Sequence, residues 1–346
     1  MQLDNTPRAP KCIAFYRAGF IGDNVIALRA LYALCTLYKQ TRIVVYTNTE
    51  GMQIFGKLSG VECIDSSAFS KSKLIAHINS YAFEYFLLTQ PNRWRCALVS
   101  ATNVKTIITF ATLSNIWNKR FKKVLFSRAF SRIPYHKALM QLVRSIDAKH
   151  YDSSKDSLHP TKPFPIDVQG VACIEAFLAS ITQSGTTPAK NLKLILFNPF
   201  VRSTATNLPL ESYITLVSYL AKQYTNYLFV LISFEGAPKI LAPELPNVAV
   251  FHNNNNLANL IELIRASNLL VSPSTGAIHI ADMLGVPVVG IYSPKDMRLW
   301  LGETMRKDQM VVLQKPLAKM SHLDIQVAFQ ATYEQCVKTI AHISRI

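Results

Sequence analysis

Short apolar runs alternate with longer amphipathic stretches along most of the chain. Short runs bounded by turn residues are typical of buried strands, whereas apolar residues three and four apart indicate helices. In the first half the pattern predicts strands at residues 11–17, 41–46, 61–64, 83–88, 105–110 and 122–126, and helices at 24–39 and 136–148. In the second half it predicts strands at residues 192–197, 227–232, 248–251, 268–271 and 288–292, and helices at 167–183, 210–223, 257–266, 277–284 and 324–343.

Regular alternation of strands and helices predicts an α/β fold with parallel, doubly wound sheets. A polar segment with three prolines, residues 151–165, interrupts the alternation and is the best candidate linker. We therefore predict two Rossmann-like domains, residues 1–160 and 161–323, with ligands bound in an interdomain cleft at the carboxyl ends of the strands. A final helix within residues 324–346 could pack back toward the first domain.

The stretch 268–294 combines a strand, a polar turn, a helix and a second strand. Ser274, Thr275 and Gly276 fall where the first strand meets the helix. Unpaired N–H groups and the positive end of the helix dipole favour a phosphate there, and His279 lies near enough to donate to it. Ser and Thr are also ordinary helix caps, and a single helical His is more often a packing or surface residue, so the local pattern leaves both interpretations open.

The opening strand, glycine-containing turn, helix and strand (11–46) form a βαβ unit. The turn lacks the G-x-G-x-x-G spacing and no acidic residue ends the second strand, so a nicotinamide dinucleotide site is not expected. Asp23 closes the turn at the start of the helix, from which its carboxylate would project into the crevice. A carboxylate there could act as a general base, although Asp is also favoured at this position for capping alone.

The composition narrows the classes of function. Six Cys are scattered through 346 residues without a C-x-x-C pair, which argues against a zinc site or a disulfide framework and favours a reducing compartment. The first ten residues are polar, so no signal peptide is expected. No apolar run approaches the ~18 residues that a membrane-spanning helix needs.

The charge of the chain is strongly and unevenly basic. The formal net charge is +16, and residues 93–149 contain twelve Lys or Arg against a single acid, Asp147. Such an excess indicates an anionic partner, either nucleic acid, an acidic lipid surface or a phosphorylated substrate. A solvated basic face that only aids solubility is the alternative, and the twelve-to-one ratio makes it less favoured.

The stretch 268–294 resembles the donor-binding signature of glycosyltransferase family 9, the bacterial heptosyltransferases of lipopolysaccharide core assembly. The matching residues are Thr275, Gly276, His279, Ala281, Leu284, Pro287, Ser293, Pro294 and Trp300. The family's Gly-Asp pair near the amino terminus is matched by Gly22 and Asp23. The chain departs from the pattern at Ser274, where the family usually has Asp, at Thr206, where it usually has Lys, and at Arg29, near where many members have Pro.

The resemblance implies a GT-B fold, with Asp23 as the general base. The donor-binding residues it implies are Arg202, Ser203, Thr206, Glu235, Leu257, Ser274, Thr275, Gly276 and His279, with Lys295 and Trp300 bordering the cleft. The acceptor-binding residues it implies lie in the first half: Gly19, Gly22, Lys119, Arg120, Lys122, Lys123, Arg128 and Arg132. Arg202 would offset diphosphate charge in place of the missing Lys, but a loop Arg facing solvent is equally consistent.

The activity implied by the resemblance is inverting, metal-independent transfer of a sugar, in this family usually heptose from ADP-heptose, onto a lipopolysaccharide or lipooligosaccharide core. No metal or bound cofactor is expected. The implied partners are the nucleotide sugar, a lipid A–Kdo or core oligosaccharide acceptor and the anionic inner-membrane surface, with no nucleic acid, which places the protein in the cytoplasm, peripheral on the inner membrane. Two alternatives stay open: a GT-B transferase with another nucleotide sugar, and a non-catalytic binder of anionic glycolipid or nucleic acid.

Overall fold

The computed structural model describes residues 10–128, 132–159, 164–183, 193–202 and 204–345. The chain divides into two compact units, Met1–Pro163 and Phe164–Ile346. Each unit is built on a six-stranded sheet with helices between successive strands, and every paired strand in both sheets is parallel. The predicted α/β, doubly wound fold class is confirmed.

The first unit carries its sheet in the order β3-β2-β1-β4-β5-β6. Its strands are β1 (Cys12–Tyr16), β2 (Arg42–Thr47), β3 (Val61–Asp65), β4 (Tyr85–Leu88), β5 (Thr106–Phe110) and β6 (Phe121–Val124). Its helices are α1 (Ile21–Leu37), α2 (Thr49–Phe55), α3 (Lys71–Asn79), α4 (Arg93–Ser100), α5 (Tyr135–Arg144) and α6 (Ala148–Ser154).

The second unit carries its sheet in the order β12-β11-β10-β7-β8-β9. Its strands are β7 (Lys193–Phe197), β8 (Tyr227–Phe234), β9 (Val248–Asn253), β10 (Leu269–Pro273), β11 (Val288–Tyr292) and β12 (Met310–Val312). Its helices are α7 (Val168–Gln183), α8 (Leu210–Gln223), α9 (Leu257–Arg265), α10 (Gly276–Leu284), α11 (Pro294–Trp300) and α12 (His322–Ile343).

Both sheets reverse their direction of growth between the first and fourth strands of the unit, at β1 and β4 and at β7 and β10. The loops that leave two such strands diverge to opposite faces of the sheet. In doubly wound folds this divergence opens a crevice at the carboxyl edge, and ligands bind there. Each unit is thus expected to place polar side chains after its two central strands.

The central strands are largely apolar because helices cover both of their faces. All five residues of β1 are buried, as are all five of β10. The long helix α12 packs on the second sheet, where its residues Ala328, Cys336 and Ile340 join the core. No helix within the described ranges is long and apolar enough to cross a bilayer.

The predicted linker 151–165 begins as ordered helix. Helix α6 continues to Ser154 and a 3-10 turn follows at Lys155–Ser157. Asp147 caps α6 by accepting a hydrogen bond from the His150 N–H, and Tyr151 is buried. A capping Asp and buried apolar residues, Tyr151 and Leu158, therefore hold a stretch whose composition alone indicates a linker.

Candidate functional site

Helix α10 begins at the carboxyl edge of the second sheet, directly after the central strand β10. Thr275 is its N-cap and Gly276 its first residue. The Thr275 side chain accepts no hydrogen bond from the helix it precedes, so ordinary capping does not account for it. The first N–H groups of α10 have no partner within the helix, which suits an anion.

The Thr275 hydroxyl is instead held by the neighbouring central strand. Asn198, the residue after β7, donates through Nδ2 to Ser272 Oγ at 3.0 Å and to Thr275 Oγ1 at 3.1 Å. The Ser272 and Thr275 hydroxyls are 3.2 Å apart. This network orients a hydroxyl and a helix N-terminus together at the point where the strand order reverses.

Ser274 and His279 flank the same turn. The Ser274 backbone N–H donates to the Ile291 carbonyl at 3.0 Å, which fixes the turn to β11. Its side chain bonds to Tyr292, and burial raises the pKa of the Tyr292 phenol, which stays neutral. His279 lies one turn into α10 and is buried.

The loop after β7 is tied to the start of α11. Thr204 Oγ1 donates to Asp296 Oδ2 at 3.3 Å, and Ser293 Oγ donates to the same oxygen at 2.8 Å. Thr206 is buried, and its N–H donates to Thr204 Oγ1 at 3.2 Å. Arg202 is exposed on the loop, and Ser203 lies outside the described residues.

The next two strands add polar groups along the same sheet edge. Glu235 follows β8 and accepts a 3.3 Å hydrogen bond from Asn255. Gly236, at φ +83°, makes the left-handed turn that follows it. Leu257 opens α9 with a buried side chain, so only its backbone is placed to reach a ligand.

The described donor-binding candidates in the second unit therefore lie in segments that follow parallel strands, and the carboxyl ends of parallel strands share one edge of the sheet. They follow β7 (Arg202, Thr206), β8 (Glu235), β9 (Leu257) and β10 (Ser274, Thr275, Gly276, His279).

Asp23 lies in the first turn of α1, because this helix begins at Ile21, three residues before its predicted start. Its Oδ1 accepts a 2.8 Å hydrogen bond from Nη2 of Arg17, the residue after β1. The Arg17 side chain is fully buried, whereas that of Asp23 is 26% exposed. Arg17 also donates to the Tyr135 hydroxyl at 3.0 Å, which donates to the Thr89 carbonyl at 2.9 Å. A carboxylate anchored on its inner side and open on its outer side is suited to receive a proton from a bound hydroxyl.

Gly19 allows the backbone to pass close to this carboxylate. A Cβ at Gly19 would lie 2.8 Å from Cβ of Asp23 and 3.1 Å from the Gln90 amide nitrogen. The Gly19 carbonyl accepts from Nδ2 of Asn24 at 2.9 Å and of Asn48 at 3.2 Å. Gly22 is the second residue of α1. Both predicted glycines thus shape the turn around Asp23.

The predicted basic acceptor residues are not gathered into one cluster of free charges. Arg120 donates to the carbonyls of Ser100, Thr102 and Val104, and Lys122 donates to that of Ser145, so both hold the backbone together. Arg128 lies over the Tyr135 ring, 4.8 Å from its centroid, next to the Arg17 and Asp23 pair. Lys119 and Arg132 are exposed, and Lys123 is a half-buried residue of β6.

Sequence reasoning missed the residues that orient both sites. They are Arg17 and Tyr135 around Asp23, Asn198 and Ser272 around the α10 turn, and Asp296 at the start of α11, where it holds the loop after β7. The available signal was positional, since Arg17 and Asn198 each directly follow the first strand of a unit. These are the positions at which a doubly wound sheet presents side chains to its crevice.

If Thr275 binds the donor as expected, replacing it with Val should weaken nucleotide binding by about tenfold, because the change removes one oriented hydroxyl from the candidate anion site. Isothermal titration with the nucleotide measures the effect. Thr215→Val is the matched control, since the Thr215 hydroxyl bonds only to Glu211 of its own helix. Equal affinity in Thr275→Val and the control would exclude this hydroxyl from the site.

Comparison with known proteins supports a single family. The family model described as glycosyltransferase family 9 (heptosyltransferase) matches residues 73–331. A search of curated proteins found no match.

Solved structures of this family share the fold. The family 9 glycosyl transferase from Veillonella parvula DSM 2008 has a TM-score of 0.70 and 15% identity, covering 97% of this chain and 99% of its own. The E. coli ADP-heptose lps heptosyltransferase II has a TM-score of 0.69 and 14% identity, and the match covers 96% of this chain and 99% of that one. E. coli heptosyltransferase WaaC with ADP has a TM-score of 0.64 and 17% identity, and the match covers 94% of this chain and 99% of that one.

The family match spans well over half of the chain and includes the α10 turn, although it begins after Asp23. The two-sheet architecture of the structural neighbours agrees with it. The chain therefore belongs to glycosyltransferase family 9, and it is a glycosyltransferase.

Proposed function

We propose that the enzyme transfers a heptose from ADP-heptose to the core of lipopolysaccharide or lipooligosaccharide, with inversion and without a metal. The observation that carries the proposal is the N-terminus of α10, where Asn198 and Ser272 orient the Thr275 hydroxyl toward a place suited to a diphosphate. Structural neighbours are described as heptosyltransferase WaaC with ADP and with ADP-2-deoxy-2-fluoro heptose, which supports the choice of nucleotide.

In the proposed reaction an acceptor hydroxyl attacks C1 of the sugar and passes its proton to the Asp23 carboxylate. The new C1–O bond forms as the bond from C1 to the diphosphate oxygen breaks on the opposite face, which inverts the configuration. The departing diphosphate carries the bonding pair, and the N–H groups of α10 with the Thr275 hydroxyl stabilise its charge. The first unit supplies the base and acceptor side, and the second supplies the donor side.

Two residues at the expected donor site differ from the family pattern, and they bear on which nucleotide sugar the enzyme uses. Ser274 and Thr206 replace an acid and a base, so the pair loses one charge of each sign. Thr206 is buried and holds the loop after β7, which leaves Arg202 as the cation of that loop within its described residues. A different nucleotide sugar is therefore the second candidate for the donor. The two substitutions change the charges expected near the sugar, whereas the diphosphate site at the N-terminus of α10 is kept.

The acceptor side of the proposal comes from the first unit. Its basic excess suits phosphorylated lipid A and acidic Kdo sugars, which are displayed on an anionic bilayer. The enzyme would then work in the cytoplasm at the inner-membrane surface. A role in nucleic-acid binding is not favoured, because the α10 site has no part in it.

Thermal unfolding in the presence of single ligands tests the donor. ADP and ADP-heptose should raise the melting temperature by several degrees at concentrations about 100-fold above Kd, because they bind the folded state. UDP- and GDP-sugars are the comparison ligands, and Thr275→Val is the matched variant. A rise with a UDP- or GDP-sugar alone would select the other-donor candidate, and no rise with any nucleotide would contradict the transferase site.

The purified enzyme should transfer sugar at the same rate with and without excess EDTA. This arm matters because a more distant structural neighbour, TibC from enterotoxigenic E. coli H10407, is described as iron-containing. Activity lost in EDTA and restored by added iron would overturn metal independence.

A further inference from the structure

Large apolar side chains are exposed on the β5–β6 side of the first unit. Leu113 is 93% exposed, Trp117 91% and Leu125 89%, and Trp94 at the start of α4 is about half exposed. Single exposed apolar residues are ordinary on protein surfaces. Four of them within 32 residues of one unit, two of them Trp, indicate a surface that meets a partner.

The segment 111–120, named the docking loop below, carries two of these residues. It must run back along the sheet because β5 and β6 are parallel, and it does so without a regular helix. Asn115 donates to the Phe110 carbonyl at 2.9 Å and accepts from the Thr112 N–H at 3.0 Å, and Asn118 donates to Ser100 of α4 at 3.2 Å. Polar contacts therefore order the loop, and its apolar side chains are left in water.

The docking loop holds its two most exposed apolar residues, Leu113 and Trp117, close together in the sequence, with the half-exposed Ile116 beside Trp117. The Ile116 N–H donates to the Thr112 carbonyl at 3.0 Å, as in one turn of helix. Leu113 lies within this turn and Trp117 directly follows it, and both side chains are almost fully exposed. Leu125 lies near the start of the loop, because the Ala111 N–H donates to the carbonyl of its neighbour Val124 at 2.9 Å.

The surrounding charge selects an anionic partner. Residues 85–146 contain eleven Lys or Arg and no Asp or Glu. Arg93, next to Trp94, and Lys119, next to the turn of the docking loop, are exposed. Each cation near an anionic bilayer adds about 1 kcal/mol of attraction, and Trp is enriched at the bilayer interface.

The aliphatic residues distinguish a bilayer from a nucleic acid. Single-stranded nucleic acid would stack on aromatic rings, but Leu113 and Leu125 offer neither a ring nor a hydrogen bond. Leu and Trp surrounded by Lys and Arg are the residue types that enter the interfacial layer of an anionic membrane.

We propose that the docking loop, together with Leu125, binds an anionic lipid bilayer, with Leu113 and Trp117 entering the headgroup layer and Arg93 and Lys119 facing its charge. The inference rests on the proposed function only in that such a membrane would carry the acceptor. It adds the specific element that holds the first unit on that membrane.

Cosedimentation of the full chain with vesicles tests the proposal. Wild type should bind mixed phosphatidylglycerol–phosphatidylcholine vesicles, and the double variant Leu113→Ser with Trp117→Ser should bind at least about tenfold more weakly. The control double variant, Leu323→Ser with Val327→Ser, removes two exposed apolar residues from α12, 68% and 62% exposed, and should bind as wild type does. Equal binding by the docking-loop variant and wild type would overturn the proposal.

The charge arm uses Arg93→Glu with Lys119→Glu and vesicles of phosphatidylcholine alone. Both changes should reduce binding, and added salt should reduce it further. Wild-type binding that favours a single-stranded oligonucleotide and ignores anionic vesicles would overturn the proposal in favour of a nucleic-acid surface. Nucleotide binding in the docking-loop variant should match wild type, so failure of the docking proposal is separable from failure of the donor site.

Discussion

Replacing Asp23 with Asn is expected to lower kcat for sugar transfer by about 10²–10⁴-fold, the contribution of a positioned general base. Affinity for the nucleotide should not change, because the donor candidates lie in the second unit. The Asn oxygen can still accept from Arg17, so the fold around α1 is kept while the proton acceptor is lost. Single-turnover transfer and nucleotide titration on the same preparation separate the two quantities.

Asp152→Asn is the matched control for this variant. Asp152 also pairs with an Arg of the first unit, Arg144, at 2.6 Å, but both side chains are about half exposed. Its neutralisation should leave kcat within about twofold of wild type, since exposed pairs contribute little. If kcat for Asp23→Asn equals kcat for the Asp152→Asn control, Asp23 is not the general base and another residue must take the proton.

Replacing Arg17 with Met should destabilise the protein by roughly 2–4 kcal/mol and lower kcat as well. The guanidinium is fully buried and bonds to both Asp23 and the Tyr135 hydroxyl. Removing it leaves a carboxylate with no counter-charge on its buried side, although the 26% exposure of Asp23 moderates the cost. Denaturant unfolding gives the free energy, and transfer assays give kcat and KM.

A double-mutant cycle with Asp23→Asn isolates the pair. The two stability losses should combine with a coupling of about 1 kcal/mol or more, because the groups touch. Arg144→Met, in the exposed pair, should cost under about 1 kcal/mol. Arg17→Lys should recover part of kcat by restoring a cation, a recovery that a purely packing role would not produce. If the two stability losses are additive and Arg17→Lys recovers no kcat, Arg17 contributes only to packing.

The positions of strands and helices were largely readable from the sequence. Apolar runs such as 288–292 coincide with β11, and the amphipathic stretch 210–223 coincides with α8. The exceptions are short or polar: β12 has three residues, α11 begins at Pro294, and α6 lies inside the predicted linker. Such elements bury few side chains, so periodicity carries little signal for them.

The candidate site was readable only in part. Thr275 and Asp23 could be placed because each stands at a helix start, where local chemistry is distinctive. The contacts of Arg17 with Tyr135 and of Asn198 with Thr275 could not be predicted, because these pairs are 118 and 77 residues apart and become neighbours only in the folded unit. In the basic stretch the sequence suggested more binding residues than the structure offers. Arg120 donates to three backbone carbonyls, and a count of charges along the sequence does not reveal such internal hydrogen bonds.

The hydrogen bonds described at the two strand-order reversals each join residues of one half of the chain. Arg17 bonds to Asp23 and Tyr135 in the part of the chain before Pro163, and Asn198 bonds to Ser272 and Thr275 in the part after it. Under the proposed function, a substitution in the second half that changes donor preference would leave the hydrogen bonds around the proposed base, Asp23, intact.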